Sequence, residues 1–203
     1  MKIVCIGRNY AAHAKELGNA IPEEPVFFMK PKTALNIGDK PFYYPEFTNE
    51  LHYEAELVIK ICKNGKYIQP KYAYQYYNQI TVGIDFTARD IQNDLKAKGL
   101  PWEKAKAFDH SACIGKWIDV TNAHLEQPIP FSLKLNGNTV QQADSSMMIY
   151  SIPQILEEAS RYFSLNIGDL VYTGTPAGVG ECVSGDELSG YIGNDNLLNF
   201  TIK

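Results

Sequence analysis

The cleanest pattern in the chain runs from His52 to Ile61. Tyr53, Ala55, Leu57, Ile59 and Ile61 are apolar, and His52, Glu54, Glu56 and Lys60 alternate with them, Val58 being the exception. A period of two predicts a strand with one face on a core. Asn64-Gly65 then predicts a tight turn into Lys66-Tyr-Ile, and the Tyr-rich residues 70–78 read as helical. A second apolar run, about 79–86, predicts another strand that closes on Asp85. Thr87 and Asp90 then have the spacing of a capping box, and Gly99 is the expected stop of the helix they open.

Upstream, Lys2-Ile-Val-Cys-Ile predicts a strand ended by Gly7, and Asn9 to Asn19 a short helix with Asn9 as N-cap and Gly18-Asn19 as its stop. Pro22 and Pro25 bracket a turn before the apolar Val26-Phe-Phe-Met, and residues 31–50 read as loop with short extended pieces. Downstream, Trp117-Ile-Asp-Val predicts a short strand, and Phe131 to Gln141 a hairpin turning at Asn136-Gly137. Ser151, Pro153 and Gln154 predict the capped start of a helix reaching about Tyr162. Strands are expected at Asp169–Thr173, about 187–192 and about 196–202. Many strands with three or four irregularly placed helices predict an α+β, mostly β fold. With no linker or repeat in view, residues 1–203 are expected to form one domain.

Composition narrows the function without naming it. The 203 residues carry a formal net charge of −4 and no basic run, which argues against nucleic acid or an anionic membrane as partner. The four cysteines (Cys5, Cys62, Cys113, Cys182) form no Cys-x-x-Cys pair, so a zinc site built from them is not expected. No apolar run approaches the ~20 residues needed to span a bilayer, and nothing ahead of the first strand resembles a targeting segment, so a cytoplasmic location is expected.

The chemistry concentrates in a few positions. Glu54 and Glu56 point to one side of their strand, and Asp85 ends a second strand at the mouth of a helix. Oxygens converging in this way suit a hard divalent cation. The same spacing also describes the solvated face of an ordinary strand, and spacing alone leaves both readings open. Arg89 and Gln92 share a face in the first turns of the following helix, able to fork onto a substrate carboxylate or to form an exposed polar face. His13 and Glu16 share a face of the first helix, a general-base pair or a surface pair. Lys106 is one lysine among many, and Thr173 to Gly180 is a Gly-rich loop, with Thr175 offering a hydroxyl, that lacks the spacing of a P-loop or dinucleotide fingerprint.

These segments together resemble the fumarylacetoacetate hydrolase superfamily over nearly the whole chain. The matching stretches are Gly7-Arg-Asn-Tyr-Ala-Ala-His, Glu24-Pro-Val-Phe-Phe-Met-Lys-Pro, His52-Tyr-Glu-Ala-Glu-Leu, Asp85-Phe-Thr-Ala-Arg-Asp-Ile-Gln, Lys98-Gly-Leu-Pro-Trp, Ser146-Met-Met-Ile-Tyr-Ser-Ile-Pro and Tyr172-Thr-Gly-Thr-Pro-Ala-Gly-Val-Gly. The compact form is most similar to the acylpyruvate hydrolase and oxaloacetate decarboxylase branch. One departure stands out: where many members carry Pro-Gly after the Phe108-Asp109 segment, this chain reads Cys113-Ile-Gly.

The resemblance implies a mixed β-sandwich roll with a few short helices, in a single catalytic domain whose first 20 or so residues include a mobile closing segment. It implies Mg²⁺ or Mn²⁺ on Glu54, Glu56 and Asp85. It also implies contacts to a small 2-oxo acid from Arg89, Gln92, Lys106 and Thr175, a catalytic His13–Glu16 dyad, and a homodimer. The expected reaction is hydrolysis of the C–C bond of a 2,4-dioxo acid (an acylpyruvate), with oxaloacetate decarboxylation as a related activity. Both run through a pyruvate enolate stabilised by the metal and Lys106. The alternatives are an isomerase or decarboxylase of hydroxy-dienedioates on the same site, and a non-catalytic dimeric binding module.

Overall fold

The computed structural model describes residues 1–16, 18 and 20–203. Fifteen strands and five α-helices follow along the described chain. They are β1 (Ile3–Gly7), α1 (Ala11–Glu16), β2 (Val26–Lys30), β3 (Leu35–Ile37), β4 (Leu51–Tyr53), β5 (Ala55–Ile61), β6 (Tyr77–Asp85) and β7 (Thr87–Ala88). Next come α2 (Arg89–Ala97), α3 (Glu103–Lys106), β8 (Ala112–Ile114), β9 (Ile118–Asp119), α4 (Asn122–Glu126), β10 (Pro130–Leu135) and β11 (Asn138–Asp144). The chain closes with α5 (Ile152–Tyr162), β12 (Leu170–Tyr172), β13 (Gly180–Glu181), β14 (Glu187–Ile192) and β15 (Asp195–Thr201). The α+β, mostly β fold expected from the pattern is what forms.

An eight-stranded mixed sheet runs β2-β1-β12-β5-β6-β8-β3, with β9 also paired to β6. A four-stranded antiparallel sheet, β11-β10-β14-β15, packs against its middle, and a small sheet, β13-β4-β7, lies at the edge of the site. The two larger sheets come close enough at Gly190 that a Cβ there would meet Val82 Cγ1 at 2.8 Å. One buried apolar cluster draws side chains from Val4 to Ile202. α5 adds Ile152, Ile155, Leu156 and Ala159 at helical spacing, behind the capping box of Ser151 and Gln154. The hairpin turns at Asn136 and Gly137, both at positive φ (50° and 81°), as a two-residue turn of matching twist requires. At Cys113-Ile-Gly, β8 pairs regularly with β6, and Gly115 N–H continues the ladder to Val82 O.

Local signals were overridden where tertiary partners competed for the same groups. The alternating strand is broken at Glu54 into β4 and β5. The polar side of β5 is not solvated, because β12 and β6 flank it and both its faces are covered. Asn9 does not cap α1: its side chain is buried and bridges Thr173 O (2.8 Å), Tyr150 O (3.0 Å) and Tyr150 N–H (2.7 Å). Thr87 lies in β7, so no capping box forms with Asp90, whose carboxylate accepts from Thr48, Asn49 N–H and Ile91 N–H. Residues 70–75 form a 3₁₀ turn, and Asn64-Gly65 leads into irregular chain, Gly65 bridging Leu165. Of the expected stop of α1, Gly18 is left-handed (φ 65°), while Asn19 lies outside the described residues.

Candidate metal centre and oxo-acid pocket

β5 and β6 pair antiparallel with Ala55 opposite Ile84 and Glu56 opposite Gly83, and Asp85 N–H extends the ladder to Glu54 O at 2.8 Å. Glu54 therefore sits across from Asp85, with Glu56 two residues along on the same side. All three are buried, and one carboxylate oxygen from each lies within 4.8 Å of the others. Gly83, across from Glu56, keeps that space clear: a Cβ there would meet Val58 Cγ2 at 2.7 Å and Cys113 O at 2.8 Å.

Buried carboxylates need compensation. Lys106 Nζ lies 2.7 Å from both Glu54 Oε2 and Asp85 Oδ2. Arg89 Nη2 donates to Glu54 Oε1 at 2.5 Å, its Nη1 to Gln92 Oε1 at 2.6 Å, and its Nε to His52 Nδ1 at 3.3 Å. Although burial raises its pKa, the Lys106 and Arg89 charges hold the Glu54 carboxyl well below its ordinary range. Against the same burial, Asp85 and Glu54 keep Lys106 charged, raising it above a free lysine. Glu56 is the exception. It accepts one hydrogen bond, from Gly174 N–H at 2.6 Å, and has no cation of its own; burial, then the adjacent Asp85, push its carboxyl far up. Asp85 Oδ1 accepts no hydrogen bond, although Lys30 Nζ lies 2.7 Å away outside hydrogen-bonding geometry.

An all-oxygen donor set in which the Glu56 carboxyl has no cation and Asp85 Oδ1 accepts no hydrogen bond fits a hard divalent cation. Glu54, Glu56 and Asp85 are the residues that would hold it.

The pocket over these acids is also lined by Arg8, His13, Phe28, Arg89, Gln92, Lys96, Trp102, Lys106 and Thr175. Every residue expected from the sequence to hold metal or touch substrate reaches it, from five separate segments. Glu16 stands behind His13, its Oε2 3.3 Å from His13 Nδ1, while both its oxygens accept from Gly178 N–H at 3.1 and 3.2 Å. Burial lowers the His13 pKa, Glu54 and Glu16 pulling it partly back, so the imidazole is neutral at pH 7 and able to take a proton. Arg89 and Gln92 form no exposed helix face: with Leu95 they are the buried stripe of α2.

Several contributors were not legible in advance. Lys30, at the end of β2, is fully buried, donates to Ser111 Oγ (2.9 Å), Ser111 O (3.1 Å) and Lys106 O, and so holds the main chain that carries Lys106. Gln141, on β11, accepts from Ala55 N–H at 2.8 Å, between the two glutamates, and donates to Thr175 Oγ1 at 2.8 Å. That leaves the Thr175 hydroxyl hydrogen free to point elsewhere. Arg8 and Lys96 also line the pocket. The one hint was a lysine closing an apolar run before Pro31.

The model of the fumarylacetoacetate (FAA) hydrolase C-terminal family matches residues 2–199. The chain belongs to this family. It is 42% identical over 187 residues to the mitochondrial oxaloacetate tautomerase fahd-1 of Caenorhabditis elegans, covering 92% of this chain and 87% of that protein. With the mitochondrial oxaloacetate decarboxylase of Dictyostelium discoideum it shares 40% identity over 209 aligned positions, covering 99% and 93%. Among solved structures, the fumarylpyruvate hydrolase of Pseudomonas aeruginosa in complex with Mn²⁺ and pyruvate superposes with a TM-score of 0.92 at 37% identity, covering 100% of this chain and 89% of that one. Within the described residues, no helix is long and apolar enough to cross a membrane.

Proposed function

We propose that this protein interconverts the enol and keto forms of oxaloacetate at a Mg²⁺ or Mn²⁺ centre. The observation that carries this reading is a buried, neutral His13 in one pocket with three buried carboxylates and the paired cations Lys106 and Arg89. When bound, the divalent cation supplies Lewis acidity toward the 2-oxo group and its neighbouring carboxylate. The chain's own residues do the rest. Arg89, Gln92 and Thr175 orient the oxo-acid end. His13 removes a proton from C3, the electron pair moves through C2 onto the oxygen, and the Lys106 ammonium faces the charge that gathers there. Returning the proton to that oxygen gives the enol, and the reverse sequence gives the ketone. Glu16 orients His13 and supports its positive charge.

A second reading, hydrolysis of an acylpyruvate, is favoured by the same dyad. His13 and Glu16 would take a proton from water as it attacks the distal carbonyl, and the pyruvate enolate would leave. Decarboxylation of oxaloacetate reaches that enolate by loss of CO₂, with no water needed. The test is a panel on purified protein with Mg²⁺ and with Mn²⁺, comparing wild type with Glu54→Ala. Oxaloacetate enol and a hydroxy-dienedioate are followed by ultraviolet absorbance, and pyruvate release is measured from oxaloacetate, acetylpyruvate and fumarylpyruvate. The proposal expects enol loss to outrun pyruvate release and to vanish in Glu54→Ala. Faster turnover of an acylpyruvate moves the assignment to hydrolase, and faster turnover of a hydroxy-dienedioate moves it to isomerase of that substrate.

A further inference from the structure

Four cationic side chains line the pocket: Arg8, Arg89, Lys96 and Lys106. Arg89 is committed to Glu54 and Gln92, and Lys106 to Glu54 and Asp85. Arg8 and Lys96 are different. Both are half-buried, and among the described residues neither side chain forms a salt bridge or a hydrogen bond.

Each is held in place by something other than a counter-ion. Arg8 has φ 61°, a backbone conformation that residues with a Cβ rarely adopt. It cannot relax, because Gly7 pairs with Val26 on one side and the buried Asn9 is fixed to Tyr150 and Thr173 on the other. Strain maintained in this way is found where a side chain must be aimed. Lys96 lies one helical turn beyond Gln92 on α2, and its Nζ sits 5.5 Å over the Trp102 ring. Burial and the Arg89 and Arg8 guanidiniums hold its ammonium down to about 8. Like charges brought together without an anion are repulsive, so the arrangement gains when a negative group enters.

The acid triad is not that group, because its oxygens are taken by Lys106, Arg89 and Gly174 N–H or stand ready for a metal. We infer that Arg8 and Lys96 form a second anion subsite that binds the distal carboxylate of the substrate, so that the pocket selects 2-oxo dicarboxylates over 2-oxo monocarboxylates. The inference rests on the oxo-acid reading above for the near end of the substrate and adds the far end. One carboxylate with its 2-oxo neighbour is held at Arg89, Gln92 and Lys106, and the other lies between the guanidinium of Arg8 and the ammonium of Lys96.

Binding separates this inference from the reaction. Malate and lactate share a 2-hydroxy acid end and differ in the distal carboxylate, and neither turns over by enolisation. Isothermal titration of both into the Mn²⁺-loaded protein should show malate binding at least tenfold tighter. Arg8→Gly and Lys96→Gln should each reduce that preference at least threefold, and together should abolish it, with lactate affinity held within twofold. Arg8→Gly suits the backbone, since glycine adopts φ 61° without strain, and Lys96→Arg should preserve the preference. In kinetics, the same variants should raise KM for oxaloacetate far more than for its 4-methyl ester. Equal affinity of wild type for malate and lactate would overturn the subsite, as would a malate preference that survives in the double variant. A protein that shows the preference but does not turn over oxaloacetate would instead overturn the assigned reaction and leave the subsite standing.

Discussion

Replacing Glu16 by Gln tests whether the dyad does its work through the protonation of His13. The Nδ1–Oε2 contact of 3.3 Å and the carboxylate charge both raise the His13 pKa against the burial that lowers it. Removing the charge must therefore move that pKa further down. A base must be unprotonated to act, so the acidic limb of the kcat/KM profile lies below that of an ordinary histidine in wild type and moves to still lower pH in Glu16→Gln. The size of the rate effect follows from exposure. Glu16's side chain is 35% exposed, so solvent screens the pair to about 1 kcal/mol or less, roughly fivefold in rate. His13→Ala removes the base itself and should cost about 10²–10⁴-fold, or roughly 3–5 kcal/mol. The assay is the initial rate of enol loss between pH 5 and 8 at saturating Mn²⁺, with pyruvate release followed in parallel. His13→Ala should reduce tautomerisation and acylpyruvate hydrolysis far more than decarboxylation. A limb that moves up in Glu16→Gln, or equal losses of all activities in His13→Ala, would refute the reasoning.

Two further outcomes follow from single buried groups. Glu56→Gln should weaken Mn²⁺ binding at least tenfold by titration calorimetry, yet leave the melting temperature of the metal-free protein unchanged or raised. It removes a buried carboxyl with no cationic partner, and the amide oxygen can still accept from Gly174 N–H. Tyr10→Phe should be neutral or stabilising by about 1 kcal/mol in urea unfolding, because the Tyr10 hydroxyl is buried without a hydrogen-bond partner.

The parts of the site that were legible in the sequence are those whose geometry is local. Glu54 and Glu56 share a side because a strand repeats every two residues; His13 with Glu16, and Arg89 with Gln92, share helix faces three apart. The hairpin at Asn136-Gly137 and the capped start of α5 were legible for the same reason. What alternation could not reveal is that β5 has no solvated face, since that depends on a second sheet laid over the first. Asn9 does not cap α1 and Asp90 forms no capping box with Thr87, because Thr173, Tyr150, Thr48 and Asn49 arrive from far along the chain and engage their side chains. Lys30 and Gln141 matter because β-pairing between distant segments carries them to the acids, and Arg8 and Lys96 because the strand that Arg8 follows and the helix that bears Lys96 are brought to the same pocket.

Gln141 has a mechanical meaning beyond its hydrogen bonds. It belongs to the four-stranded sheet, yet its carboxamide grips the main chain between the two glutamates and the loop at Thr175 and Pro176. The spacing of the acids is thereby geared to how the two sheets sit on each other. A sequence change that lets one sheet slide by a fraction of an ångström, even on the far side of the sandwich, would loosen the grip on a cation long before the protein melts. At the proposed metal site, affinity would thus gauge sandwich alignment, and drift in the outer strands would be a route to tune it without touching an acidic residue.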